Sequence, residues 1–198
     1  CDLSTLNRRS GAIGRYGSAV SWLVALAVVV LLGVLLSWTA GRVDRMHTRL
    51  EASRAALDAQ LARRSAVAVE VATSGIVDPA TSLVLADAAH RARTAGQNGS
   101  GDDREAAESD LTKALSATFD DRTQVALLRA DPRARPLVDE LFGVCRRVQL
   151  ARRFHNDAVR GTRRLRRKRL VRWLGLAGRA PWPATVEFDD DLPVGARP

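Results

Sequence analysis

Cysteine is almost missing from this chain: Cys1 and Cys145 are the only two among 198 residues. That excludes a disulfide framework and any cysteine-rich metal site. Histidine is nearly as scarce. His47, His90 and His155 are the full set, and none stands in an HExxH or another metal-ligand spacing. No apolar–polar alternation marks a strand ahead of the C-terminal end. The glycine-containing stretch 96–103 is followed by no Lys-Ser or Lys-Thr and follows no strand, so it reads as a loop and not as a phosphate cradle. Ser, His and Asp occur, but no elbow or triad signature orders them. No cofactor motif is present, and none is expected.

What the chain does have is one long apolar run, residues 18–40, with no charged residue between Trp22 and Trp38. A helix rises ~1.5 Å per residue, so about twenty such residues match the ~30 Å hydrocarbon layer of a bilayer. Trp22 and Trp38 stand near its ends, where amphipathic rings favour the headgroup level, and Arg15 and Arg42 flank it. A single-pass membrane anchor is the expectation. The run exceeds the ~7–15-residue apolar core of a cleavable signal. Cys1 in first place fits a fragment or a processed form, with lipidation a further alternative.

Charge is the second feature. The net charge is +9, yet it is confined: residues 146–172 hold twelve Arg or Lys against one acid, Asp157, which leaves the remainder slightly acidic. Arg163, Arg164, Arg166, Arg167, Lys168, Arg169 and Arg172 form its densest part. Such a patch gains ~1 kcal/mol per cation near anionic lipid. It also suits phosphates in general. However, the stretch contains a single aromatic and no nucleic-acid reading motif, which disfavours nucleic acid as the partner. The third reading is a solvated face, since Arg is a strong helix former.

The expected order is a short head (1–17), the span (18–40), a helical body (41–175) and an extended or disordered tail (176–198), in which Val-Glu-Phe-Asp-Asp-Asp is a candidate short strand. The span continues as helix to about Ser74, with Val43, Met46, Leu50, Leu57 and Leu61 on one stripe and Gly75 near the stop. Asp78 caps and Pro79 opens a second helix, with Leu83, Ala86 and His90 on its apolar face. Asp102 or Asp103 caps a third, with Ala107, Leu111, Leu115 and Phe119 inward. Asp120-Asp121 interrupts before a short continuation to Asp131-Pro132. The last helix, from residues 133–136 to about Leu174, has the clearest seam: Leu137, Leu141, Val144, Val148, Ala151, His155, Ala158, Thr162 and Leu165. The fold class is all-α: a membrane helix running on into an elongated antiparallel bundle of three to four helices.

Two passages carry a family resemblance. One is Leu57-Asp58-Ala59-Gln60-Leu61-Ala62-Arg63-Arg64 on the first helix. The other is Val148-Gln149-Leu150-Ala151-Arg152-Arg153-Phe154-His155-Asn156-Asp157-Ala158-Val159 on the last. With the order of parts, they make the chain resemble the LemA family of membrane-anchored bacterial helical proteins. His155 stands where that family has Tyr. The resemblance implies an elongated bundle on one span, gives Leu61, Arg63, Arg64, His155 and Asn156 structural roles, and supplies no catalytic residues.

The expected function is therefore a non-enzymatic scaffold or adaptor at the cell membrane. Its partners would be membrane lipid, a membrane or envelope protein, and further copies of itself. The basic excess favours a cytoplasmic body, N-terminus out and C-terminus in. The rival reading is a tethered enzyme or redox sensor using Cys145 or His155. Ten residues separate them on one helix, ~15 Å, too far to act together. His155 on the seam fits a core histidine with one hydrogen bond, and Asn156 a polar contact to a neighbouring helix.

Overall fold

The computed structural model describes residues 10–167 and 182–196. Among these residues five α-helices follow in order: α1 Ser10–Thr73, α2 Pro79–Asn98, α3 Gly101–Thr118, α4 Arg122–Ala130 and α5 Arg135–Arg166, with a 3-10 turn at Val194–Ala196. Among the described residues there is no strand, so residues 186–191 form an extended segment without a ladder.

α1 is continuous from the apolar run into the body. Ser21–Trp38 is long and apolar enough to cross a membrane, and none of it is buried within the chain. Its large side chains are open to the surroundings, from Trp22 at 76% to Trp38 at 62%. α1 ends where Gly75 takes φ +75°, the left-handed conformation that glycine adopts without steric cost. Asp78 then caps α2 through bonds from the Ala80 and Thr81 N–H groups, with Pro79 at the first helical position.

Three local readings are corrected. The predicted loop 96–103 shrinks to Gly99 and Ser100, because α2 runs to Asn98 and Ser100, not Asp102 or Asp103, caps α3. Asp103 returns the bond to the Ser100 N–H, completing a capping box. The apolar face of α2 is also rotated from the expected one. Leu85, Ala88, Ala89 and Ala92 are buried, while Leu83 and His90 are exposed. The alanines let α2 lie close between α1 and α3, and that close approach outweighs the larger Leu83. Last, α5 ends at Arg166 within the described residues; residues 168–181, including Lys168, Arg169 and Arg172, lie outside them, as do residues 1–9.

The core joins Leu57, Leu61, Val67, Ala68 and Val71 of α1 to Leu111, Leu115 and Phe119 of the α3 end and to Val138, Leu141, Phe142, Val144 and Val148 of α5. Phe119 and Phe142 meet edge to face, centroids 5.4 Å apart. α5 runs antiparallel to α1: Glu140 pairs with Arg63, Arg147 bonds Gln60 and His155 meets Ser53. α3 runs parallel to α1, with Arg104 on Asp58 and Glu108 on Arg64. The helices thus go out, back, out and back. Continued at ~1.5 Å per residue on both helices, the α1–α5 pairing brings Arg166 level with Gly41 and Arg42.

Candidate functional site

Residues 182–196 lie as an extended strap in the groove between α3 and α5. The strap begins beside the end of α5, where the Arg166 guanidinium covers the Trp182 ring at 5.5 Å. It ends at the α3–α4 corner, where the Gly195 N–H donates to the Phe119 carbonyl at 3.2 Å. A side chain on Gly195 would have no room: its Cβ would stand 2.4 Å from Val125 Cγ2.

Helix side chains satisfy the strap's backbone in place of a neighbouring strand. Asn156 donates from Nδ2 to the Val186 carbonyl and accepts from the Val186 N–H at Oδ1, both at 3.0 Å. Arg163 Nε donates to the Pro183 carbonyl at 2.8 Å, and Gln149 Nε2 to the Asp190 carbonyl at 2.6 Å. From α3, Thr112 donates to the Asp189 carbonyl at 2.6 Å, and Ser109 Oγ accepts from the Asp189 N–H at 3.0 Å. Gln149, Arg152, Asn156 and Arg163 recur at threes, fours and sevens, so they share one face of α5. This polar face stands beside the apolar seam that the sequence revealed.

Phe188 is the strap's largest buried side chain, 7% exposed. Two guanidinium groups lie over its ring, Arg64 at 5.8 Å and Arg152 at 5.5 Å from the centroid. Arg152 also grips Asp190 with two parallel bonds of 2.8 Å, and Glu187 lies within 3.7 Å. The Asp190 and Glu187 carboxylates hold the Arg152 guanidinium still higher than its ordinary value, against partial burial.

Beneath the strap lies a charged core. Arg64 is 2% exposed and Glu108 as little, with Arg64 Nη2 to Glu108 Oε2 at 2.6 Å. Arg64 also donates to Thr112 Oγ1 at 3.0 Å, so Thr112 links the ion pair to the strap. Burial pushes the Glu108 carboxyl up, and the Arg64 charge offsets part of that.

On the side toward the apolar segment, the α2–α3 connection stops short and leaves a cleft of about 490 Å³. His47, Leu50 and Arg54 of α1, Arg104 of α3, His155 of α5 and Trp182 of the strap are among its walls. His155 is 4% exposed, and its Nδ1 lies 3.3 Å from Ser53 Oγ. Burial holds the imidazole below its ordinary value, more than a backbone hydrogen bond with Ala184 raises it. The pair is not arranged as nucleophile and base, because the Ser53 hydroxyl is spent on the Leu50 carbonyl at 2.7 Å.

The residues singled out from sequence divide accordingly. Arg42 stacks on Trp38 at 5.8 Å, at the end of the apolar segment, while Trp22 is exposed at its other half and Arg15 lies in the first turns of α1. Of the basic patch, Arg164 and Arg167 are exposed, whereas Arg163 and Arg166 are engaged by the strap. Leu61 is core, Arg63 an exposed partner of Glu140, Arg64 the buried ion. Asn156 holds the strap and not a neighbouring helix, a correction to the expected contact. His155 is buried as expected of a core histidine, with Ser53 and the Ala184 backbone both against it. Asp157 pairs with Arg160 at 2.6 Å. Cys145 is free and buried, and burial pushes its thiol up despite Arg64 and Arg146 nearby. Among the described residues no three His, Cys, Asp or Glu gather as a metal site.

Sequence reasoning missed Gln149, Arg152, Ser109, Thr112 and Phe188. The 149-152-156-163 spacing and the acids after Phe188 were the available signals.

No family model, curated protein or solved structure matches this chain.

Proposed function

We propose that the protein is a membrane-anchored, non-enzymatic scaffold of LemA-like type, with Ser21–Trp38 crossing the bilayer and the end of α5 resting on anionic headgroups. The observation that carries this reading is the α1–α5 register, which brings Arg164 and Arg167 back to the level at which α1 leaves its apolar segment. Twelve large apolar side chains of that segment stand exposed. Each gains about 1.5–3 kcal/mol on leaving water, and among the described residues nothing buries them. Exposed cations near an anionic surface add ~1 kcal/mol apiece. The family resemblance rests on the passages around Arg64 and Asn156 and supports the same architecture.

The test uses the 198-residue chain in bilayers, with Cys1→Ser, Cys145→Ala and a nitroxide on Arg164→Cys. In bilayers rich in phosphatidylserine the nitroxide is expected within reach of a lipid-held nickel chelate, and high salt should withdraw it. Equal accessibility in zwitterionic and anionic bilayers would refute headgroup docking. Quantitative recovery in the soluble fraction without detergent would refute the anchor.

A further inference from the structure

We infer that the cleft between α1, the start of α3, α5 and the strap holds one hydrocarbon chain, that of a single-chain amphiphile with a zwitterionic head, of the lysophospholipid class. The inference deepens the membrane reading and rests on it for the supply of the ligand. It does not rest on headgroup docking by the end of α5.

The cleft has the proportions of such a chain. Its α1 wall runs from His47 to Leu61, fourteen positions or ~21 Å of helix. Along that length the described residues leave about 490 Å³. A helix of the same length is ~10–12 Å across and would need roughly three times that volume, so a partner helix does not fit. An extended peptide is unsuited for another reason. Its N–H and C=O groups would need partners. α1 spends its own within the helix, and the Pro183 carbonyl and both polar groups of Val186 are already met by Arg163 and Asn156. A hydrocarbon chain asks for no such partners. Leu50, Leu57 and Leu61 of α1 and Val186 and Phe188 of the strap give it apolar walls, and every methylene gains by leaving water.

Charge selects the head. Asp58 is paired with Arg104 and Glu108 with Arg64, which neutralises those four. Arg54, Glu51 and Glu105 also line the cleft, and none of them is in an ion pair among the described residues. Both signs are therefore on offer: a cation for a phosphate and carboxylates for an ammonium. A purely anionic head would meet the two carboxylates unfavourably. The number of chains follows from position. His47 comes nine positions after Trp38, ~14 Å farther along α1, so the cleft begins beyond the hydrocarbon layer. A two-chain lipid seated there would hold its second chain in water, whereas a single-chain amphiphile leaves none exposed.

The experiment uses the 198-residue chain in nanodiscs of phosphatidylcholine and phosphatidylserine. Trp22→Phe, Trp38→Phe and Trp173→Phe leave Trp182, in the cleft wall, as the sole tryptophan. Lysophosphatidylcholine brominated at the end of its chain is titrated in. A chain that stays in the leaflet carries its bromines to the bilayer centre, about 15 Å below the hydrocarbon boundary and away from Trp182. Quenching of Trp182 is therefore the expected result. Leu50→Glu sets a carboxylate against the chain and should weaken binding at least about tenfold. Should that variant lose helicity, Leu50→Phe, which narrows the cleft without a charge, is expected to weaken it likewise. No quenching by the lysophospholipid, or quenching unchanged by the Leu50 variants, would overturn the inference. Equal quenching from chain-brominated phosphatidylcholine in the bilayer would overturn the single-chain assignment. Equal affinity for a fatty acid with the same brominated chain would overturn the zwitterionic head. The nitroxide measurement reads headgroup docking separately: docking without Trp182 quenching sinks this inference alone, and quenching without docking sinks only the docking.

Discussion

At Arg64 and Glu108 two full charges lie in the core, within reach of each other and of Thr112. Removing one partner strands the other, at about 3–5 kcal/mol, whereas replacing both by apolar residues of similar volume is close to neutral. Glu108→Ala should therefore lower the denaturant midpoint strongly, and Arg64→Met with Glu108→Leu should recover most of it. Asn156→Leu removes both bonds to Val186 and leaves its backbone groups unpaired. About 2 kcal/mol should be lost in urea titration. His155 gives a pH dependence. Its folded value lies below the ordinary one because the ring is buried. Its contribution is present above about pH 6.5 and is lost as pH falls through the lower folded value. The melting temperature should drop on acidification from neutral pH, and by less in His155→Gln. Equal drops would remove His155 as the cause. Glu108, pushed up by burial, works in the opposite direction, so the comparison with His155→Gln isolates the histidine.

Among the elements, the strap owes its far end to one glycine. Gly195 approaches Val125 so closely that an added methyl meets Cγ2 at 2.4 Å. Gly195→Ala should cost about 1–3 kcal/mol by overpacking, read as a lower thermal midpoint. Val125→Ala on top should restore part of it, a coupling that contacts at this distance produce. The helices themselves were largely legible. The α5 seam from Leu137 to Leu165 is buried or half-buried at every position named from sequence, because a seam at steps of three and four can face only one way. α2 was less so. With six alanines and no strong contrast between its faces, periodicity alone did not distinguish Leu85 from Leu83. Nor did composition disclose that the segment around Phe188 packs, since an extended chain held by helix side chains carries no period of its own.

For the whole molecule, the order out, back, out and back returns the C-terminal end of α5 to the level at which the apolar segment of α1 ends. Under the proposed anchoring, that end and the cleft beside His47 and Trp182 face the bilayer surface. The basic excess then predicts a cytoplasmic body. A single cysteine at position 191, with Cys1→Ser and Cys145→Ala, should resist an impermeant maleimide on intact cells and react once they are opened. Labelling on intact cells would reverse the orientation.

The sequence by itself determined the all-α class, the long apolar first helix and its continuation, the stop at Gly75, the cap at Asp78 and the inward seam of α5. Each of these is local: a run length, a cap residue or a period within one helix. Only the tertiary structure decided that Arg64 and Glu108 are buried together, that Asn156 serves the strap, and that Arg163 and Arg166 are engaged where Arg164 is exposed. Those outcomes depend on which chain segments meet across 16 to 44 positions of sequence. Charge and polarity mark such residues as costly to bury without naming the group that meets the cost.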